Sequence, residues 1–83
     1  MTQKILSPEG LGAALRNERK KKRLSQTEAG KSVGIDQPTV SKVEKGNPGT
    51  ELGTLFRLLA ALDLELLIQT RQKPIQDTKG DIW

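Results

Sequence analysis

The chain contains neither cysteine nor histidine. The first absence excludes disulfides and thiolate metal ligands. The second excludes a histidine metal site and a histidine general base. A catalyst would have only carboxylates, lysines and hydroxyls to work with on a scaffold of 83 residues, which leaves an enzyme as the weakest reading, and no cofactor is expected. Long apolar runs are missing too. The longest, Leu58 to Leu62, falls far short of the ~18 residues of a membrane-spanning helix. Lys4 is followed by no extended apolar stretch of the kind a signal peptide needs, so a cytoplasmic protein without membrane contact is expected.

What is present is concentrated positive charge. Fourteen basic residues stand against ten acidic ones, for a net charge of +4. Arg16, Arg19, Lys20, Lys21, Lys22 and Arg23 crowd into one short segment with only Glu18 among them. Such a patch suits a polyanion, although cations at the end of a helix are also favoured by its dipole. The length allows one domain with a limited core, so dimerisation is an attractive source of further burial.

Helix signals follow one another along the chain. Ser7-Pro8-Glu9 reads as N-cap, first helical proline and dipole-favoured acid. Leu11, Ala14 and Leu15 then share one face of a helix running to about Lys22. Ser25 and Glu28 have the spacing of a capping box. The short second helix ends before Gly34, where a positive φ lets the chain turn. Asp36 caps a third helix with Pro38 in its first turn, an apolar stripe of Val40 and Val43, and Gly46 at its end. After the Asn47-Pro48-Gly49 turn, Thr50 is the expected cap of a fourth helix, in which Leu52, Leu55, Phe56, Leu59 and Leu62 keep helical spacing. Leu64 to Thr70 alternates at first and is rich in strand formers at its end, so a strand is expected. From Arg71 the sequence is polar and is expected to be a disordered tail, ending in Ile82-Trp83. The division is residues 1–70 for DNA binding and dimerisation, and 71–83 for the tail.

The informative relation is between the second and third helices. Small residues Ala29 and Gly30 lie where the two must approach closely. Val33 and Ile35 bracket Gly34, and Val40 and Val43 supply the facing stripe. Two capped helices joined by so short a turn make a helix-turn-helix. With the valines facing inward, Gln37, Ser41, Lys42 and Lys45 face outward. Gln37, near the start of the helix, is placed to meet base edges, and glutamine bonds bidentately to adenine. Ser41 and Lys42 are further base-reading candidates, and Pro38 and the methyl of Thr39 suit a thymine methyl. Ser25, Gln26, Lys22, Arg23 and Lys45 are candidates for phosphate, with Ser25 serving in the first place as a plain cap.

The stretch from Leu24-Ser25-Gln26 to Val43-Glu44-Lys45-Gly46 resembles the helix-turn-helix of phage repressors and Xre-type regulators. Over nearly the whole chain the likeness is to the HipB antitoxins, carried by Gln3-Lys4-Ile5, Ser7-Pro8, Gly34-Ile35, Gln37, Thr39, the leucine-rich helix and strand, and a terminal tryptophan. Gly30 departs from the usual alanine, and glycine within a helix costs about 1 kcal/mol against alanine. The resemblance implies an all-α domain of four to five helices, with one C-terminal strand pairing across a homodimer. It also implies that Arg19 pairs with Glu44 as a structural tie. A sequence-specific repressor of its own operon that holds a HipA-type kinase toxin is therefore expected, with a stand-alone Xre-type repressor as the alternative. A protein-interaction module that keeps the fold without binding DNA is a third reading, opposed by Lys42 and Lys45 on the exposed helix.

A lone strand after a helical core has an unpaired edge. Leu64, Leu66, Leu67 and Ile68 are the dimer-strand residues, and a two-fold pairing sets the recognition helices about 34 Å apart on inverted-repeat, double-stranded operator DNA. Trp83, the only tryptophan, is either a toxin contact or an incidental end.

Overall fold

The computed structural model describes residues 3–71. Among these the architecture is all-helical: α1 (Pro8–Lys21), α2 (Gln26–Lys31), α3 (Gln37–Glu44) and α4 (Leu52–Ala61). No strand is formed among the described residues, and no fifth helix. Leu64 to Thr70 belongs to neither kind of element within the single chain. A strand is defined by its pairing, and a chain whose other elements are all helices offers that segment no edge to pair with.

The first three helices begin where a side chain can take up free backbone N–H groups. Ser7 Oγ accepts from the Gly10 N–H at 3.0 Å, with Pro8 behind it at the first helical position. At α2 the box is reciprocal: Ser25 Oγ accepts from the Glu28 N–H at 3.0 Å, and Glu28 Oε1 accepts from the Ser25 N–H at 2.7 Å. Asp36 Oδ1 accepts from the Thr39 N–H at 3.1 Å to open α3. The fourth start differs from the expectation at Thr50. Its hydroxyl donates back to the Asn47 carbonyl at 2.8 Å, closing the preceding turn, so Glu51 occupies the cap position without a side-chain bond.

All four helices end alike. After α1, the N–H groups of Arg23 and Leu24 donate to the carbonyls of Lys20 and Arg19. Gly34 and Ile35 repeat this after α2, Gly46 and Asn47 after α3, and Asp63 and Leu64 after α4. This double closure needs a left-handed residue just past the helix. It is glycine, Gly34 and Gly46, in two cases, but Arg23 (φ 57°) and Asp63 (φ 59°) in the other two.

Packing joins α3 to both α1 and α2, and α4 to α2. Leu15, Ala29, Ile35, Val40, Val43, Leu55, Leu58, Leu59 and Leu62 form the core. Leu58, Leu62 and Val40 are almost wholly enclosed, each contributing about 1.5–3 kcal/mol by leaving water. Gly30 earns its place through close approach. A Cβ there would collide with the Ile35 carbonyl oxygen and press on Val40, whereas the bare backbone lets Ile35 N–H reach the Gly30 carbonyl at 2.9 Å. The helix-propensity cost expected at this residue is thus offset by the tightness of the turn it permits. Gly12 does the same for the α1–α3 crossing, where a Cβ would lie 2.5 Å from the Glu44 carbonyl oxygen. Arg57 fastens α4 to the turn by donating to the Val33 carbonyl at 3.1 Å.

Candidate nucleic-acid interface

Beneath the exposed face of α3 lies a chain of polar side chains from three helices. Arg19 of α1 is buried, and each of its three guanidinium nitrogens donates a hydrogen bond. Nε donates to Glu44 Oε2 at 2.6 Å, Nη2 to Glu44 Oε1 at 3.0 Å, and Nη1 to the Leu24 carbonyl at 2.8 Å. Glu44, at the end of α3, has a side chain only 4% exposed. Burial pushes its carboxyl up, but hydrogen bonds from Arg19 and Gln26 pull harder, and the net position is below the ordinary glutamate value. Glu44 is therefore an anion, able only to accept.

The chain continues outward from that anion. Gln26 Nε2 donates to Glu44 Oε1 at 3.0 Å, and Gln37 Nε2 donates to Gln26 Oε1 at 2.7 Å. Gln26 and Gln37 are the first residues of α2 and α3, and the helix-turn-helix angle brings those two helix starts together. Gln37 is exposed while its inner end is held. Pro38 beside it is exposed, Thr39 and Ser41 are half-buried, and Lys42 and Lys45 project into solvent. The result is an outward surface of one tethered amide, one apolar ring, a hydroxyl and two cations, which suits base edges and the phosphates flanking them.

The HTH_3 helix-turn-helix family matches residues 15–68. Antitoxin HipB of Escherichia coli (strain K12) is 36% identical over 66 residues, covering 80% of this chain and 75% of that protein. A solved HipA-HipB-O2-O3 complex contains a chain that superposes with a TM-score of 0.81 at 34% identity, over 86% of this chain and 100% of that one. The chain belongs to the helix-turn-helix family of the HipB antitoxins. A 10 kDa protein of the ImmF control region of Bacillus phage phi105 is also similar, at 32% identity over 75 residues, 88% of this chain and 83% of the phage protein.

Within this HipB-type chain, α3 sits in the recognition position of the motif, and the structure alters the expected division of labour around it. Gln26, expected at phosphate, has its amide nitrogen turned to Glu44 and its oxygen to Gln37. Only one amide hydrogen remains for anything outside. Ser25 has its oxygen engaged in the cap. In the basic run, Lys21 and Lys22 lean on Glu18 at 3.3 and 3.5 Å, while Lys20 and Arg23 have no ion-pair partner among the described residues. Trp83 lies outside the described residues.

Two features escape the sequence reading. One is the contact between Gln26 and Gln37, whose only sequence signal is that both open their helices. The other is on α4: Leu52 and Phe56 are 69% and 52% exposed, although they keep the helical spacing of the core leucines. Six large apolar residues within Leu52–Leu62 make a stripe too wide for one buried face, and that excess was the available signal. Leu64 is half-buried against the core, whereas Leu66, Leu67 and Ile68 are exposed, Ile68 completely.

Proposed function

We propose that the chain is a sequence-specific, non-catalytic transcriptional repressor that binds an inverted-repeat operator as a homodimer, controls its own operon and acts as the antitoxin of a HipA-type kinase. The observation that carries this reading is the exposed start of α3, where Gln37 is held by Gln26 and flanked by Lys42 and Lys45. Structural neighbours at about a third identity are HipB chains bound to HipA and to operator 20mers, which supports both partners. Binding to chromosomal DNA gives the protein a cytoplasmic, nucleoid-associated place of work.

In this reading Gln37, Pro38, Thr39, Ser41 and Lys42 meet bases, while Lys45, Lys22 and Arg23 meet phosphate, with Ser25 and the remaining amide hydrogen of Gln26 at its edge. Residues 1–70 form the DNA-binding and dimerisation unit. Leu64 to Thr70 pairs with its own copy across a two-fold axis, burying Leu66, Leu67 and Ile68, and the 71–83 tail offers Trp83 to the toxin. Exposed leucines and isoleucine on an unpaired segment support that pairing. The likeness to a phage control-region protein supports a second reading, a stand-alone repressor.

The test is a binding isotherm of the full chain on the DNA upstream of its own gene against a scrambled duplex, followed by titration with the product of the adjoining gene. Preference for the upstream duplex together with tight binding of a kinase-like neighbour is the expected result. Preference without such a partner favours the stand-alone repressor. Equal affinity for both duplexes overturns the reading.

A further inference from the structure

The side chain that sets what Gln37 presents to DNA is two hydrogen bonds removed from it. We infer that the buried carboxylate of Glu44 acts through Gln26 as a positioning residue, fixing the polarity of the Gln37 amide so that it selects adenine over guanine. The inference rests on the DNA-binding reading above.

The argument is one of donors and acceptors. An amide has two chemically different ends, a carbonyl oxygen that accepts and an NH2 that donates. Left alone in water, either end of Gln37 faces the groove at little cost. Here the choice is made from the interior. Glu44 is held as an anion by Arg19, whose Nε and Nη2 reach its two oxygens at 2.6 and 3.0 Å. A carboxylate has nothing to donate, so the end of Gln26 that meets it at 3.0 Å must be Nε2. Oε1 of Gln26 then faces outward and accepts, which requires Nε2 of Gln37 on the other side of the 2.7 Å contact. One hydrogen of that nitrogen is consumed. What remains for the groove is Oε1 as acceptor beside a single N–H as donor.

That pair is complementary to adenine, whose N6 amino group donates and whose N7 accepts. Guanine offers two acceptors, N7 and O6, and leaves the amide oxygen facing another oxygen. A buried acceptor-only group thus becomes a base preference at the surface through two hydrogen bonds. The pairing of Arg19 with Glu44 needs only α1 and α3. Gln26 is the link that makes it bear on recognition.

One substitution separates this role from a structural one. Gln26→Met keeps the bulk and leaves the ion pair whole, but cuts the relay.

The experiment selects duplexes from a random pool with the full-length protein and finds the base pair whose discrimination Gln37→Ala abolishes. It then measures dissociation constants with adenine and with guanine at that position, alongside thermal melts. The wild-type protein is expected to favour adenine by about tenfold or more. Gln26→Met should bring the ratio close to unity at an unchanged melting temperature. A 7-deazaadenine duplex, lacking the N7 acceptor, should lose affinity with the wild-type protein but not with Gln37→Ala. An undiminished ratio in Gln26→Met overturns the inference, and so does a wild-type preference for guanine. Failure to select any sequence defeats the DNA-binding reading itself, and the relay with it.

Discussion

The start of α3 and the outer side of α4 both face solvent, and they are built on opposite terms. Around α3, polar groups reach inward and find partners: Arg19 makes three hydrogen bonds, Glu44 accepts three, and Gln26 bridges to Gln37. No buried side-chain nitrogen or oxygen lacks a partner among the described residues. On α4 and beyond it, apolar groups reach outward and find none among the described residues, with Leu52, Leu67 and Ile68 at 69%, 71% and 100% exposure. The first region is complete in one chain and ready to meet a charged, hydrogen-bonding surface without rearranging. The second leaves its apolar surface to solvent. Preorganised polarity suits nucleic acid, and uncovered apolar surface suits a protein partner.

Breaking the polar region from inside gives the largest effect. Arg19→Ala leaves the Glu44 carboxylate buried without its counter-charge, at a cost of about 3–5 kcal/mol. Urea melts of Arg19→Ala, Glu44→Ala and the double variant should reveal strong coupling between the two residues. Additive losses would reduce the pair to two independent contacts.

The apolar region is tested by two neighbours on α4. Leu58 is 2% exposed and belongs to the core, so Leu58→Ala should destabilise the fold by about 3 kcal/mol. Phe56, two residues earlier and 52% exposed, should tolerate alanine within about 0.5 kcal/mol of folding stability. Its loss should instead weaken self-association roughly tenfold in sedimentation experiments if α4 shares the dimer interface. A Phe56→Ala protein that is less stable yet equally dimeric would assign the ring to the fold and not to the interface.

The sequence made most of the polar region's frame legible, because capping is local. Ser7, Ser25 and Asp36 each announce a helix by chemistry that acts over three residues. The Arg19–Glu44 tie spans 25 residues and was reachable only through resemblance. The Gln26–Gln37 contact was not reachable at all, since it depends on the angle between two helices, which Gly30 sets by its bare backbone. On α4, periodicity marks which residues are apolar and aligned, but it does not say which flank of a wide stripe the core covers. The segment expected as a strand, Leu64 to Thr70, is in the same position, because its alternation is visible while a strand is defined by a partner that the sequence does not name.

Acid should separate the regions without any substitution. The folded-state value of Glu44 lies below its ordinary one, so its contribution is fully present at pH above the ordinary glutamate range and is lost as pH falls through the lower folded value. Glu28 and Asp36, whose carboxylates accept from the backbone N–H groups of Ser25 and Thr39 at the two caps, are lowered too and act in the same direction. The melting temperature should stay level from neutral pH down to about 5 and fall below it. Glu44→Gln should flatten part of that fall. The apolar flank contains none of these groups, so a profile unchanged by Glu44→Gln would mean that acid acts elsewhere.

The smallest effects come from the two left-handed residues, one ending α1 in the basic run and one ending α4. Arg23 and Asp63 occupy the same place in the same terminating motif, at φ 57° and 59°. A side chain there costs about 1–2 kcal/mol, and glycine would remove that cost while adding about 0.5–1 kcal/mol of unfolded-state entropy. Both Arg23→Gly and Asp63→Gly should therefore stabilise slightly, by roughly 0.5–1 kcal/mol. Their consequences for DNA should differ. Arg23 is an exposed cation without an ion-pair partner among the described residues. If it meets phosphate, Arg23→Gly lowers affinity on specific and scrambled duplexes alike and reduces the slope of log affinity against log salt by about 0.9 per chain. Asp63→Gly should leave that slope unchanged, because an anion has no phosphate contact to lose. Equal salt slopes for the two variants would remove Arg23 from the DNA surface, and strain at that position would then be a cost that α1 bears without any return in binding.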